Sequence, residues 1–146
     1  MAPRDRLKPV RRVAQNREQA AAKLLGDARR IVQEQESKLE QLLFFQQEYQ
    51  QRFETACRTG ISAGQLQDFQ AFLAKLCKAI DQQRCAVEES RRDSSERKQA
   101  WQQKHTRTQA ISKAIERFRK DELRAREKKE QKDSDEHSLR SAHSKA

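Results

Sequence analysis

From Leu66 onward, apolar residues recur at alternating steps of three and four, the spacing that lines one face of an α-helix. One line of this repeat holds Leu66, Leu73, Ile80, Val87, Ser94, Trp101, Thr108, Ile115 and Glu122. The other holds Phe69, Leu76, Gln83, Ser90, Arg97, Lys104, Ile111, Phe118 and Ala125. Sustained over so many heptads, the repeat predicts a coiled coil that is apolar at both ends and polar in its middle. An earlier stripe predicts a partner helix: Leu7, Val10, Ala14, Ala21, Leu24, Ala28, Ile31 or Val32, Leu39, Leu42, Phe45, Tyr49, Phe53 and Ala56. Its slight drift is that of a straighter helix with less supercoil.

Between the two stripes lies the one sharp break in the pattern, Thr59-Gly60-Ile61-Ser62-Ala63-Gly64-Gln65-Leu66. Gly60 suits the left-handed position just past a helix end, because it has no Cβ to clash there. Ser62 with Gln65 three residues later has the form of a capping box, and Ile61 with Leu66 that of a hydrophobic staple. A short connection between two long helices predicts an all-α fold, a long two-helix antiparallel coiled-coil hairpin. Folding at residue 61 pairs positions whose numbers sum to about 122. Phe53 then meets Phe69, Tyr49 meets Leu73, Phe45 meets Leu76, Leu42 meets Ile80, Ala21 meets Trp101 and Val10 meets Ile111. The expected hairpin covers residues 1–132, with its turn near 58–65, and would form a rod on the order of 80–90 Å long. Residues 133–146 lose the periodicity, are rich in Ser, and read as a disordered tail.

Composition sharpens this picture. Hydrophobic residues make up only 34% of the 146 and charged residues 37%, with a mean hydropathy of −1.17, too little apolar matter for a thick core. Such numbers fit an extended helical assembly or disorder, and the abundance of Ala, Gln, Glu, Lys, Arg and Leu with only three Gly and two Pro favours helix. No run approaches the roughly 18–20 apolar residues of a membrane span. The basic N-terminus has no apolar segment behind it and does not read as a secretory signal. Cys57, Cys77 and Cys85 follow no CxxC spacing and suggest free, buried or half-buried thiols in a reducing cytosol.

The net charge of +10 is uneven: residues 1–12 carry +4 and residues 97–132 carry +8, while 13–96 and 133–146 carry −1 each. A hairpin lays the two basic segments side by side. Such a tip is either a solvated surface or a site that docks on an acidic partner, steered by a field that salt weakens. Specific nucleic-acid binding is disfavoured, since these segments offer few aromatics for stacking and no zinc ligands. Near the turn, Phe44, Phe45, Tyr49, Phe53, Phe69 and Phe72 exceed what a two-helix seam can bury, and Phe44 and Phe72 are expected beside it. Such a cluster is either a wide seam or a protein-docking patch. Gln83, Ser90, Ser94, Arg97 and Lys104 occupy seam positions where Leu would contribute roughly 1.5–3 kcal/mol each, so marginal stability is expected.

Catalysis needs a concave, partly dry site, which a two-helix rod does not supply. His105, His137 and His143 have no metal-binding spacing, and no Gly-rich phosphate loop occurs. Neither an enzyme nor a cofactor is expected.

The ordered blocks Lys23-Leu24-Leu25-Gly26, Arg29-Arg30, Leu39, Leu42, Phe45-Gln46-Gln47-Glu48-Tyr49, Gly60-Ile61 and Phe69-Gln70-Ala71-Phe72 to Leu76 resemble the flagellar export protein FliJ family over roughly residues 7–125. Family members usually carry Tyr where this chain has Phe45. The resemblance implies a non-enzymatic component of the flagellar type III export apparatus, which serves motility, with a hairpin like the stalk of the rotary ATPase γ subunit. It implies binding to the hexameric export ATPase, to the cytoplasmic domain of the export gate and to export chaperones. It further implies a cytoplasmic protein, peripheral to the inner membrane through that apparatus and without membrane insertion. Carried onto this chain, Leu42, Phe45, Tyr49, Phe72 and Leu76 would face the gate. Leu7, Val10, Val13, Arg17 and Leu24 would face the ATPase. The stalk protein of a virulence injectisome would share this physics. A basic coiled-coil nucleic-acid binder and a purely structural spacer are the other readings.

Overall fold

In a computed structural model, which describes residues 2–144, the chain forms two helices: α1, Pro3–Thr59, of 57 residues, and α2, Ala63–Ser144, of 82. No strand occurs among the described residues. Pro3 opens α1, where its fixed φ suits the first turn and its missing N–H removes no bond. The Ala2 carbonyl accepts from the Asp5 and Arg6 amides at 3.0 and 3.2 Å.

The connection follows the expected chemistry. α1 ends with the Thr59 hydroxyl donating to carbonyls of its own last turn (Ala56, 3.1 Å; Thr55, 3.3 Å). Gly60 then takes φ 94°, a left-handed conformation that a Cβ would strain. The Gln65 amide donates to Ser62 Oγ and the Ser62 amide to Gln65 Oε1, both at 3.2 Å, which closes the capping box. After Gly64 the sequence has no Gly or Pro, so nothing stops α2. It runs helically through residues 133–144, where a disordered tail was expected; every residue from 123 to 144 is exposed, so local propensity alone carries this part. Residues 145 and 146 of that expected tail lie outside the described residues.

The chain divides into two compact units. Unit 1 comprises residues 1–20 and 102–146, and unit 2 residues 21–101. Within unit 2 the helices are antiparallel, with rising numbers on α2 facing falling numbers on α1: Phe69 against Phe53, Cys77 against Gln46, Arg91 against Glu36. Its buried apolar residues are Leu25 and Ala28 from α1 and Leu76, Ile80 and Val87 from α2. Two of its polar seam positions, Gln83 and Ser90, are hydrogen-bonded, while Arg97, expected in the seam, is exposed and pairs with Asp93 on its own helix. The Gln83 amide donates to both the carbonyl and Oε1 of Gln35 at 2.9 and 2.7 Å, and the buried Ser90 hydroxyl donates to the Val87 carbonyl at 2.7 Å. Arg91 adds two bonds to Glu36 Oε1, at 2.8 and 3.1 Å.

Unit 1 is also antiparallel, with Arg4 opposite Glu122 and Glu18 opposite His105, around a thin core of Ala14, Thr108 and Ile115. Glu122 Oε1 and Arg4 Nε are buried without a partner. Several expected seam positions are exposed here: Lys104, Phe118 and Ala125 on α2 and Val10 on α1. Ile111 is half-buried, as its seam position requires. His105 and Ser112 are half-buried as well, because the inward line through His105, Thr108, Ser112 and Ile115 steps by three, four and three. The Lys104 ammonium, costly to desolvate, thereby stays in water.

Candidate partner-binding surfaces

Unit 2 carries the aromatic surface. Four α1 positions, Leu42, Gln46, Tyr49 and Phe53, are half-buried and define its seam here, in steps of four, three and four. The Tyr49 ring, expected against Leu73, packs on Phe72 and Phe69 with centroids 4.3 and 5.3 Å apart, while Phe53 meets Phe69 at 5.4 Å as the fold point predicted. Phe45 does not cover Leu76. It is 57% exposed, while Gln46 turns inward and its amide donates to Cys77 Sγ at 3.4 Å. The 3.6-residue period places position 46 on the inward line and swings position 45 to its flank. The Phe72 ring, 40% exposed, lies on the corresponding flank of α2. In an antiparallel pair these two flanks belong to one face, so Phe45, Tyr49 and Phe72 share one aromatic face, and the buried Leu76 lies in the seam beside it. Phe44, 61% exposed, points away from the seam. The five residues expected to face the gate therefore comprise two exposed rings, two half-buried residues (Leu42 and Tyr49) and one buried support, Leu76.

Unit 1 carries a surface of different chemistry. Val10 and Val13 are exposed on one flank of α1 and, with Pro9, Ala14, Arg17 and Arg107, line an open hollow of about 270 Å³. Two guanidinium groups thus border an apolar floor, suited to an apolar side chain beside a carboxylate. Arg107, from α2, was not among the residues singled out by sequence; only the pairing of the helices brings it to Arg17. Leu7 is half-buried, and Leu24, 48% exposed, belongs to unit 2, so neither joins this hollow. Unit 1 holds 19 of the 32 Lys and Arg residues against 10 of the 22 acids, and so +9 of the net +10.

Also in unit 1, the Glu18 carboxylate sits 2.5 Å from His105 Nδ1. That hydrogen bond, opposed by partial desolvation and aided by the neighbouring Thr108 hydroxyl, holds Glu18 below the ordinary carboxylate range. No cluster of three or more His, Cys, Asp or Glu able to hold a metal occurs among the described residues. The three thiols are free and all exposed, where burial or half-burial was expected, since a seam this narrow covers only its innermost line. No helix of the described residues is long and apolar enough to cross a membrane.

Comparison with known proteins agrees with this architecture. The profile of a family described as flagellar FliJ protein matches residues 3–146. The flagellar FliJ proteins of Salmonella typhi and of Escherichia coli (strain K12) are each 30% identical to the chain over 142 residues, covering 97% of both chains. No solved structure matches significantly. A family match over nearly the whole length, two aligned relatives and a helical hairpin together place the chain in the flagellar FliJ family.

Proposed function

We propose that the chain, a component of the flagellar export apparatus by its family, is a non-catalytic stalk that joins the hexameric export ATPase to the export gate and receives export chaperones. The observation that carries this reading is the presence of two exposed surfaces of unlike chemistry. One is the aromatic face of Phe45, Tyr49 and Phe72 in unit 2; the other is the apolar and basic hollow of Val10, Val13, Arg17 and Arg107 in unit 1. A connector needs that difference, because each end must reject the other end's partner. Exposed aromatic rings on one face suit a gate surface with apolar pockets, and a basic flank suits a ring lined by acids. In the cell such a stalk is cytoplasmic and is held at the inner membrane through the apparatus.

The first experiment measures the activity of the purified flagellar export ATPase with and without the chain. Stimulation that falls with salt supports the stalk. Replacing Phe45 and Phe72 by Ala is expected to weaken binding of the gate's cytoplasmic domain by at least about tenfold and leave the ATPase effect intact. Val10→Asp with Val13→Asp is expected to do the reverse. If both double variants bind both partners normally, the two surfaces do not carry the function.

A further inference from the structure

The outer side of α2 in unit 1 carries a feature that neither surface uses. Taking the buried Ile115 as the inward direction, Lys113, Arg117, Lys120, Arg124 and Lys128 follow at steps of four, three, four and four. At about 100° per residue they fall in a band about 80° wide, centred opposite the seam. All five are exposed, and none belongs to an ion pair among the described residues. They form a ridge about 22 Å long at about 1.5 Å per residue. Acids border it rather than interrupt it: Glu116 and Glu127 lie on one side and Asp121 on the other. Glu116 is already engaged by Arg119 at 2.7 Å.

We infer that this ridge is an adsorption site for a flat anionic surface, specifically a bilayer containing acidic phospholipids. The geometry separates this partner from nucleic acid. A helix in a duplex groove meets phosphates on both flanks, and here the flanks bear Glu116, Glu127 and Asp121. A plane touches the ridge alone and leaves the acids in water. The ridge holds no apolar wedge, so contact stops at headgroup depth and rests on charge. Each basic residue near an anionic bilayer is worth at most about fivefold in affinity, and the effect decays within a Debye length, about 10 Å at 0.1 M salt. The inference does not depend on the stalk reading.

The test is vesicle co-sedimentation of the full chain with phosphatidylcholine alone and with phosphatidylcholine containing one quarter phosphatidylglycerol. Binding to the acidic vesicles only, lost as salt rises, is the expected result. Replacing all five ridge residues by Gln should weaken it on the order of a hundredfold. A control with Lys23, Arg29, Lys38, Arg58 and Lys78 replaced by Gln has the same net charge and should stay within about threefold, because those residues lie off the ridge. Arg117→Lys with Arg124→Lys, which keeps the charge, should bind as the wild type does, and equal helicity of all variants by circular dichroism excludes unfolding. The inference is overturned by absence of binding, by equal loss in the ridge and control variants, or by tighter ridge-dependent binding to a DNA duplex at the same salt.

Discussion

Leu24 and Leu25 are neighbours of one type with opposite roles. Leu25 is 7% exposed and Leu24 48%. Truncating Leu25 to Ala should therefore cost about 2–3 kcal/mol, and truncating Leu24 less than about 0.5 kcal/mol, read as shifts in thermal midpoint. The sequence stripe names Leu24, because steps of three and four alone leave a one-residue ambiguity wherever two apolar residues adjoin. Ile31 and Val32 pose the same ambiguity, and it is Val32 that is half-buried. Glu18 offers a second test at this scale. Its folded pKa lies below the ordinary 4.5, so the Glu18–His105 contact stabilises above that value and is lost as pH falls through the folded pKa. Glu18→Gln has no such acid-side loss. Melting temperatures followed below about pH 4.5 should fall more steeply for the wild type than for the variant, and parallel curves would exclude a contribution from this pair.

The helices owe their ends to local chemistry, and the amides of Gln83 and Gln46 bond across the seam between them. Gly60 at φ 94° makes Gly60→Ala costly by about 1 kcal/mol, and Ser62→Ala, which opens the capping box, costs a similar amount. These turn signals were legible in the sequence, residue for residue, because capping uses fixed offsets along one chain. The aromatic rung of Phe53 and Phe69 was legible too, since it lies close to the fold point, where register error has not accumulated. Farther away the reading slips: Phe45 for Gln46, Val10 for Arg11, Lys104 for His105. Each slip is one residue, the difference between a heptad count and about 3.6 residues per turn. The bond network of Gln83 with Gln35 was not legible, because a polar residue at a seam position looks in sequence like a weak point. Gln83→Leu should raise the melting temperature by burying a larger apolar side chain, while removing the group that selects one register. Spin labels at residues 38 and 78 in a cysteine-free background should then show a second distance population. A single unchanged distance would mean that the apolar contacts fix the register unaided.

At the scale of the whole molecule, seven apolar residues are buried among those described, and no large side chain of these is sequestered completely. Unit 2 holds five of the seven, while unit 1 holds only Ala14 and Ile115, with the polar Thr108 buried beside them. Backbone amides exchange by local opening, and the opening free energy follows the apolar area that must be uncovered. Amides of unit 1 should therefore exchange faster than those of unit 2, and the free chain should melt below about 65 °C. Uniformly slow exchange with one transition well above that temperature would show that side-chain burial underestimates what holds the helices together. The same measurement bears on function, because a ligand that binds only the folded form of one unit stabilises that unit by mass action. Added gate domain should slow exchange around Phe45 and Phe72, and added ATPase should slow it around Val10, Val13 and Arg107. If either partner instead protected both units equally, one partner would engage both surfaces, and a connector with a separate end for each machine would be the wrong description of the chain.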